Sequence, residues 1–277
     1  MRTRPLRFSH VAVYLFLGVF TLYALFPFIW TLSTSLKSAT QVVAYPPRII
    51  PDGITLQNYI YVLTHTPVPT YIMNTFIVAG GTVILVGVAS ALAGYAFSRF
   101  KFHGKNLILL SLLICVMISG ATKVIPLYMM LLQAGLLNTY WSLILTYSAE
   151  LVPISVWLMK SYIDTVPRDL DDAALVDGCG KVRAFFKIIL PLTIPGLIAV
   201  LLLAFISASH EFIYAATFIS EPTMKTAPAG LYIFFTDIGV EWGPLTAASI
   251  LVVAPIIAIF LLLQRWFISG LTVGAVK

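Results

Sequence analysis

The sequence predicts an all-α integral membrane protein with six transmembrane helices and one short cytoplasmic helix between the fourth and fifth crossings. Three observations carry this expectation. The 277 residues are 60% hydrophobic and only 10% charged, where a soluble domain carries about 25% charged residues, and the mean hydropathy is +0.97. The apolar residues fall into continuous runs that reach the roughly 20 residues a helical crossing needs, not into the alternating segments of about 10 residues that mark a membrane barrel. The charges gather between the runs. One interruption, Pro167 to Pro195, holds four of the eleven acidic residues, Asp169, Asp171, Asp172 and Asp177, and four basic ones, Arg168, Lys181, Arg183 and Lys187.

Arg2, Arg4 and Arg7 precede an apolar run read as span one, about 11–32. A signal peptide is the competing reading, but its apolar core would be about 7–15 residues and would end at small residues; this run is longer and ends in Phe26-Pro27-Phe28-Ile29-Trp30. Residues 37–70 are polar, punctuated by Pro46, Pro47, Pro51, Asp52-Gly53, Pro67 and Pro69, which mark turns; Thr55 to Leu63 suits a short surface helix. Span two covers about 71–98. Its small residues four apart, Gly87 with Ala91 and Ser90 with Gly94, permit close helix packing in lipid. Span three covers about 107–132 and span four about 141–162. The charged loop occupies 163–189, span five about 190–212 and span six about 243–266, with a cytoplasmic tail at 267–277. All of this reads as one transmembrane domain, 1–277.

Charge distribution supports that layout. Thirteen of the 17 Lys and Arg residues fall on one set of loops: Arg2, Arg4, Arg7, Arg99, Lys101, Lys105, Lys160, Arg168, Lys181, Arg183, Lys187, Arg265 and Lys277. Basic residues concentrate on the cytoplasmic side of membrane proteins, so both termini are expected in the cytosol. The same distribution argues against reading the net charge of +6 as a nucleic-acid footprint. The two cysteines, Cys115 and Cys179, make no metal framework, and their placement speaks against a disulfide. Gly180-Lys181 is followed by Val182 and not by the Ser or Thr of a phosphate-binding P-loop, so no ATP site is expected on this chain and it is not read as an enzyme.

The interruption reads as folded. Pro167 suits the first turn of a helix, the aspartates suit the positive end of its dipole, Ala173, Ala174 and Leu175 favour helix, and Gly178 stands where a helix would stop. Phe185, Phe186, Ile188 and Ile189 then form an amphipathic piece leading to Pro191. Asp172-Ala173-Ala174, three residues, Gly178, nine residues and Ile188-Ile189-Leu190-Pro191 resemble the loop E-A-A-x3-G-x9-I-x-L-P of ABC importer permeases, with Asp172 where the family usually has Glu. Further stretches resemble the maltose-type carbohydrate-uptake branch: Asn74-Thr75; Ala91 to Arg99; Ile125-Pro126-Leu127-Tyr128; Gly135-Leu136-Leu137-Asn138-Thr139; and the end Gly270-Leu271-Thr272-Val273-Gly274-Ala275-Val276-Lys277.

The resemblance implies a permease subunit of a binding-protein-dependent importer in the cytoplasmic (inner) membrane of a bacterium or archaeon. It implies a homologous second permease, two ATPase subunits and an extracytoplasmic solute-binding protein as partners. No cofactor is expected on this chain, ATP and Mg being held by the ATPases. It implies that Asp171, Asp172, Ala173, Ala174, Asp177, Gly178 and Pro191 form the coupling element that an ATPase grips, and that Gly270, Gly274 and Lys277 in the tail reach the ATPase pair.

Charges inside spans cost about 2.5–3.5 kcal/mol on insertion scales and usually face a polar cavity. Lys123, Glu150 and the pair His210-Glu211 qualify as candidates for the solute path, with Phe212 beside them. Lys123 and Glu150 suit either mutual pairing or contact with the solute. Ser209-His210-Glu211-Phe212 resembles the W-N-E-F motif of sugar-importer permeases at Glu211 and Phe212 only. Tyr214, Phe218, Tyr232, Phe234 and Phe235 read as membrane-interface anchors. The alternatives to a sugar importer are a stand-alone secondary transporter or channel coupling ions through Lys123, Glu150 and Glu211, and an ABC permease for a glycerophosphodiester or polyol.

Overall fold

The structure, a computed structural model, describes residues 8–237 and 239–272. Arg2, Arg4, Arg7, Gly274 and Lys277 lie outside the described residues. The helices in order are α1 (Phe8–Ser35), α2 (Ala39–Val42), α3 (Gln57–His65), α4 (Val68–Arg99), α5 (Lys105–Met117), α6 (Gly120–Gln133), α7 (Tyr140–Asp164), α8 (Asp169–Val176), α9 (Lys181–Ala184), a π-turn (Phe185–Ile189), α10 (Leu190–Leu192), α11 (Ile194–His210), α12 (Ile213–Phe218), α13 (Ala227–Gly230) and α14 (Trp242–Thr272). A two-residue antiparallel ribbon pairs β1 (Phe235–Thr236) with β2 (Gly239–Val240). The protein is therefore all-α in its architecture. Four helices among the described residues are long and apolar enough to cross a membrane: Val13–Ser35, Val68–Arg99, Tyr140–Asp164 and Trp242–Trp266. Two bent pairs bring the number to six if each counts as one span.

The chain divides into two compact units, residues 1–67 with 233–252 and residues 68–232 with 253–277. In the first, α1 is exposed from Val13 to Ile29 and buried only towards its end, at Ser33, Thr34 and Ser35; its apolar stretch befits a helix solvated by lipid. Pro27 leaves the Tyr23 carbonyl without its helical donor, and Thr31 Oγ1 donates to the carbonyl of Pro27 itself at 2.8 Å. Asn58 on α3 donates to the carbonyls of Ser35 and Lys37, both at 2.9 Å, so its amide caps the end of α1. Gly243 approaches Asn58 so closely that a Cβ would lie 2.8 Å from the amide oxygen.

In the second unit α4 is the central helix. It packs along α7 and α11. Two buried clusters run along this seam. One holds Val78, Leu143, Ile144, Tyr147, Tyr214 and Phe218; the other holds Val86, Tyr95, Met159, Ile163, Phe185 and Ile189. Lipid tails are as apolar as these side chains, so close contact and not water exclusion holds the helices together. Gly94 shows how close. A Cβ there would lie 2.8 Å from Met159 Cβ and 3.0 Å from the Lys160 backbone nitrogen.

The expected third span is not one straight helix. Residues 105–133 form α5 and α6, bent by 102°, because Ile118 and Ser119 are extended, with ψ of 121° and 137°. The expected fifth span also begins with a bend, of 77°, between 181–192 and α11. Pro191 and Pro195 remove two donors there, and Thr193 Oγ1 donates to the carbonyls of Ile189 and Leu190 at 3.0 and 3.1 Å. Residues expected as a tail from 267 continue α14 to Thr272, placing Gly270 in helix.

The connection that follows α12 is tied down by three residues. Asn74 donates to the carbonyls of Thr223 and Lys225 at 2.8 and 2.9 Å and accepts from Tyr140 Oη at 2.7 Å. Thr75 Oγ1 accepts from the Ala227 amide at 2.8 Å. Asn138, with φ 56°, accepts from the amides of Ser220 and Glu221 at 2.6 and 3.1 Å.

Candidate functional site

The charged interruption folds as α8 followed by a closed C-terminus. Three aspartates, Asp169, Asp171 and Asp172, occupy the first turn, where the helix dipole favours negative charge. Pro167 stands before this helix and not within its first turn; its carbonyl accepts from the Leu170 amide at 3.3 Å. At the other end Gly178 is left-handed, φ +78°. Its amide donates to Leu175 at 3.1 Å and that of Cys179 to Ala174 at 2.9 Å, the paired bonds of a Schellman motif. Ala174 is buried, whereas Asp172, Ala173, Leu175, Val176, Asp177 and Gly178 are exposed. Val176 is 87% exposed, so this short helix offers an apolar tip ringed by carboxylates. Pro191 lies in α10 beyond the π-turn.

The inner side of α8 is fastened to the end of α4. Arg99 Nε lies 2.8 Å from Asp171 Oδ2, with side chains only 8% and 16% exposed. The contact is ionic, because neither atom has an aligned hydrogen-bond partner. Tyr95 Oη donates to Asp171 Oδ1 at 3.4 Å. Arg99 also donates to the Val166 carbonyl at 2.8 Å. Arg168 donates to the Ser98 carbonyl at 3.0 Å, capping an orphan carbonyl of the last α4 turn. Ser98 Oγ donates to Asp164 at 2.6 Å, and Lys160 donates to the same carboxylate at 2.5 Å. A cavity of about 270 Å³ opens among Tyr95, Arg99, Arg168, Asp171, Asp172 and Lys181.

A second polar constellation lies inside the helices. Lys123 on α6 donates to Glu150 on α7 at 2.6 Å, so of the two roles open to these residues the structure displays pairing. Glu150 Oε1 also accepts from Tyr214 Oη at 3.0 Å, and Tyr214 Oη donates to the Gly120 carbonyl at 3.1 Å. Glu211 accepts from Tyr147 Oη at 2.7 Å and from the amides of Tyr214 and Ala215 at 3.0 and 3.2 Å. Glu211 thus caps α12, and its two tyrosine neighbours link it to the Lys123–Glu150 pair. His210 and Phe212 are exposed and stand outside this network.

Several of these residues escape a reading of the sequence. Tyr214, Phe218 and Phe234 are buried, which corrects their reading as interface anchors; Tyr232 and Phe235 are exposed. Arg99 reads only as a topology marker, and the sequence does not single out Tyr147, whose partner Glu211 lies 64 residues away. The Arg99–Asp171 pair carries no local signal.

The family described as "Binding-protein-dependent transport system inner membrane component" matches residues 7–273. The chain is 32% identical to the sulfoquinovosyl glycerol transport system permease protein SmoH of Agrobacterium fabrum, over 99% of this chain and 94% of that one. It is 36% identical to the trehalose/maltose transport system permease protein MalG of Thermococcus litoralis, over 91% of each. It is 32% identical to the galactooligosaccharides transport system permease protein GanQ of Bacillus subtilis, over 95% of this chain and 94% of that one. In three dimensions it resembles a chain of a bacterial ABC transporter involved in the import of the acidic polysaccharide alginate, with TM-score 0.84 and 20% identity, covering 96% of this chain and 99% of that one.

Proposed function

Because the chain belongs to the family of binding-protein-dependent transport system inner membrane components, and is a permease subunit of an ABC importer, we propose that α8 is the element through which partner ATPases drive it. The exposed tip of Asp172, Ala173, Leu175, Val176, Asp177 and Gly178 carries this reading. A rigid stub of this kind turns closure of a gripping partner into displacement of the helices behind it, since packed interfaces switch between arrangements and do not deform continuously. The nucleotide must favour one arrangement over the other for anything to move.

In this reading the chain pairs with a homologous second permease, two ATPases sit beneath it, and an extracytoplasmic solute-binding protein docks outside. ATP and Mg belong to the ATPases; this chain binds no cofactor and has no ATP site of its own. Both termini lie in the cytosol of a bacterial or archaeal cell, as the loop charges favour. Residues 1–277 act as one permease domain, and Gly270, Gly274 and Lys277 contribute a tail contact to the ATPase pair. The solute is a sugar or sugar-like molecule, as the names of the relatives suggest. Lys123, Glu150 and Glu211, with His210 and Phe212, are the candidates of this chain for the path shared with the second permease.

The experiment is purification in mild detergent followed by uptake in vesicles. ATPase subunits should accompany the wild-type chain and be lost or uncoupled with Asp172→Lys, while membrane insertion persists. Uptake by the lone chain, driven by an ion gradient, would overturn the proposal in favour of secondary transport through the Lys123–Glu150–Glu211 network.

A further inference from the structure

An apolar groove of about 450 Å³ runs along the outside of α4, between it and the segment that leads from the π-turn into α11. Gly87 forms its floor, where a Cβ would lie 2.6 Å from Leu201 Cδ2. Ile84, Val88 and Leu92 line it from α4, all exposed. Phe186, 55% exposed, closes the end at the π-turn. An open apolar trough at membrane depth is filled by hydrocarbon.

The lining itself is apolar, and the segment that supplies Phe186 to it carries two cations. Arg183 stands one turn before Phe186, and Lys187 follows it directly. Both are exposed. Neither has a hydrogen bond or ion pair among the described residues, in contrast to Arg99, Lys123 and Lys160, which are all paired. No acidic residue lies between Asp177 and Glu211. Basic pockets at the cytoplasmic ends of membrane helices favour anionic headgroups. A phosphate fits two free cations one turn apart on a helix whose next face is Phe186 and an acyl-sized trough.

We infer that this groove holds an acyl chain of an acidic phospholipid, whose headgroup phosphate rests on Arg183 and Lys187. The inference rests on the cytoplasmic orientation of the α8–α9 segment proposed above. The phospholipid wedges the π-turn and the bend at Thr193 against α4, next to the element that the ATPases are proposed to grip. Cationic headgroup contacts add to the apolar fit, and only the former distinguish an acidic lipid from a zwitterionic one of the same chain length.

The test uses the assembled transporter, delipidated and returned to micelles with phosphatidylglycerol or phosphatidylcholine carrying a photoreactive group on one acyl chain. Labelled peptides should map to 83–92 and 185–201. At limiting lipid, phosphatidylglycerol should label them roughly 30-fold more than phosphatidylcholine, the ratio expected for two surface cations. Arg183→Gln with Lys187→Gln should bring the two lipids to parity without changing the amount of assembled complex. Both positions are exposed, so misfolding would not explain that result. Equal labelling by both lipids in the unmutated complex would overturn the inference. So would absence of label from the groove together with a Val88→Cys cross-link to the partner permease, since a protein helix would then fill it. Co-purification of the ATPases, measured on the same sample, tests the coupling role separately.

Discussion

Arg99 Nε and Asp171 Oδ2 lie 2.8 Å apart, almost fully buried, and join the last turn of α4 to the first turn of α8. Asp171 is turned inward while its neighbour Asp172 is exposed. Two adjacent carboxylates therefore differ in setting: one anchors the short helix to the helix bundle, and the other is exposed.

Breaking this anchor from one side should be worse than removing it. Truncating one partner of a buried ion pair strands a charge at a cost of about 3–5 kcal/mol, whereas apolar replacement of both is often neutral. Arg99→Met or Asp171→Leu alone is expected to lower thermal stability and abolish coupled uptake. The double variant should regain stability but not coupling. Detergent melts and ATP-driven uptake check both parts; full uptake in the double variant would remove the anchor from the coupling route.

Gly178 carries the turn that ends α8. A left-handed residue with a side chain costs about 1–2 kcal/mol, and proline cannot adopt φ +78°. Gly178→Val should reduce uptake several-fold and Gly178→Pro should abolish it, with insertion unchanged by membrane fractionation. Wild-type uptake from Gly178→Pro would show that the shape of this turn is immaterial.

How far the sequence reveals these features depends on whether their cause is local. The end of α8 is legible because Gly178 constrains the backbone whatever surrounds it. The Lys123–Glu150 pair is half legible: intramembrane charge demands compensation, but only packing selects the partner. The break at Ile118–Ser119 is faint, since no proline marks it and Ser119-Gly120 is a weak turn signal inside a run long enough to cross. Tyr214 is misread because an aromatic just past a span suits an interface anchor as well as a buried donor to Glu150. Arg99 and Asp171 meet only because α4 and α8 are brought together by the α4–α7 seam.

That seam yields its own test. Gly94 faces backbone as well as side chain on α7, so the neighbour cannot move aside. Gly94→Leu should cost about 1–3 kcal/mol or more as overpacking, read as lower thermal stability and faster proteolysis of the permease. Gly80→Ala, where nothing lies within 4 Å, should leave both unchanged or slightly improved, because alanine favours helix by about 0.8–1 kcal/mol over glycine.

The internal network distinguishes structural pairing from contact with a moving solute. Lys123 donates to Glu150, which also accepts from Tyr214, and Tyr214 reaches the carbonyl of Gly120 beside the α5–α6 bend. If the pair chiefly holds that bend, Lys123→Met with Glu150→Gln should retain stability near wild type, since no charge is left unpaired. Each single variant should lose about 3 kcal/mol or more. If the pair also meets the solute, the double variant should keep its stability and yet raise the solute concentration needed for half-maximal uptake at least tenfold, which is the cost of about 1.4 kcal/mol of lost contact. Uptake curves for the double variant that superimpose on wild type would make the pair a strut alone and move the path to other residues. A double variant as unstable as the singles would show that Tyr214 and Gly120 depend on the charged form of Glu150, and the bend on all four.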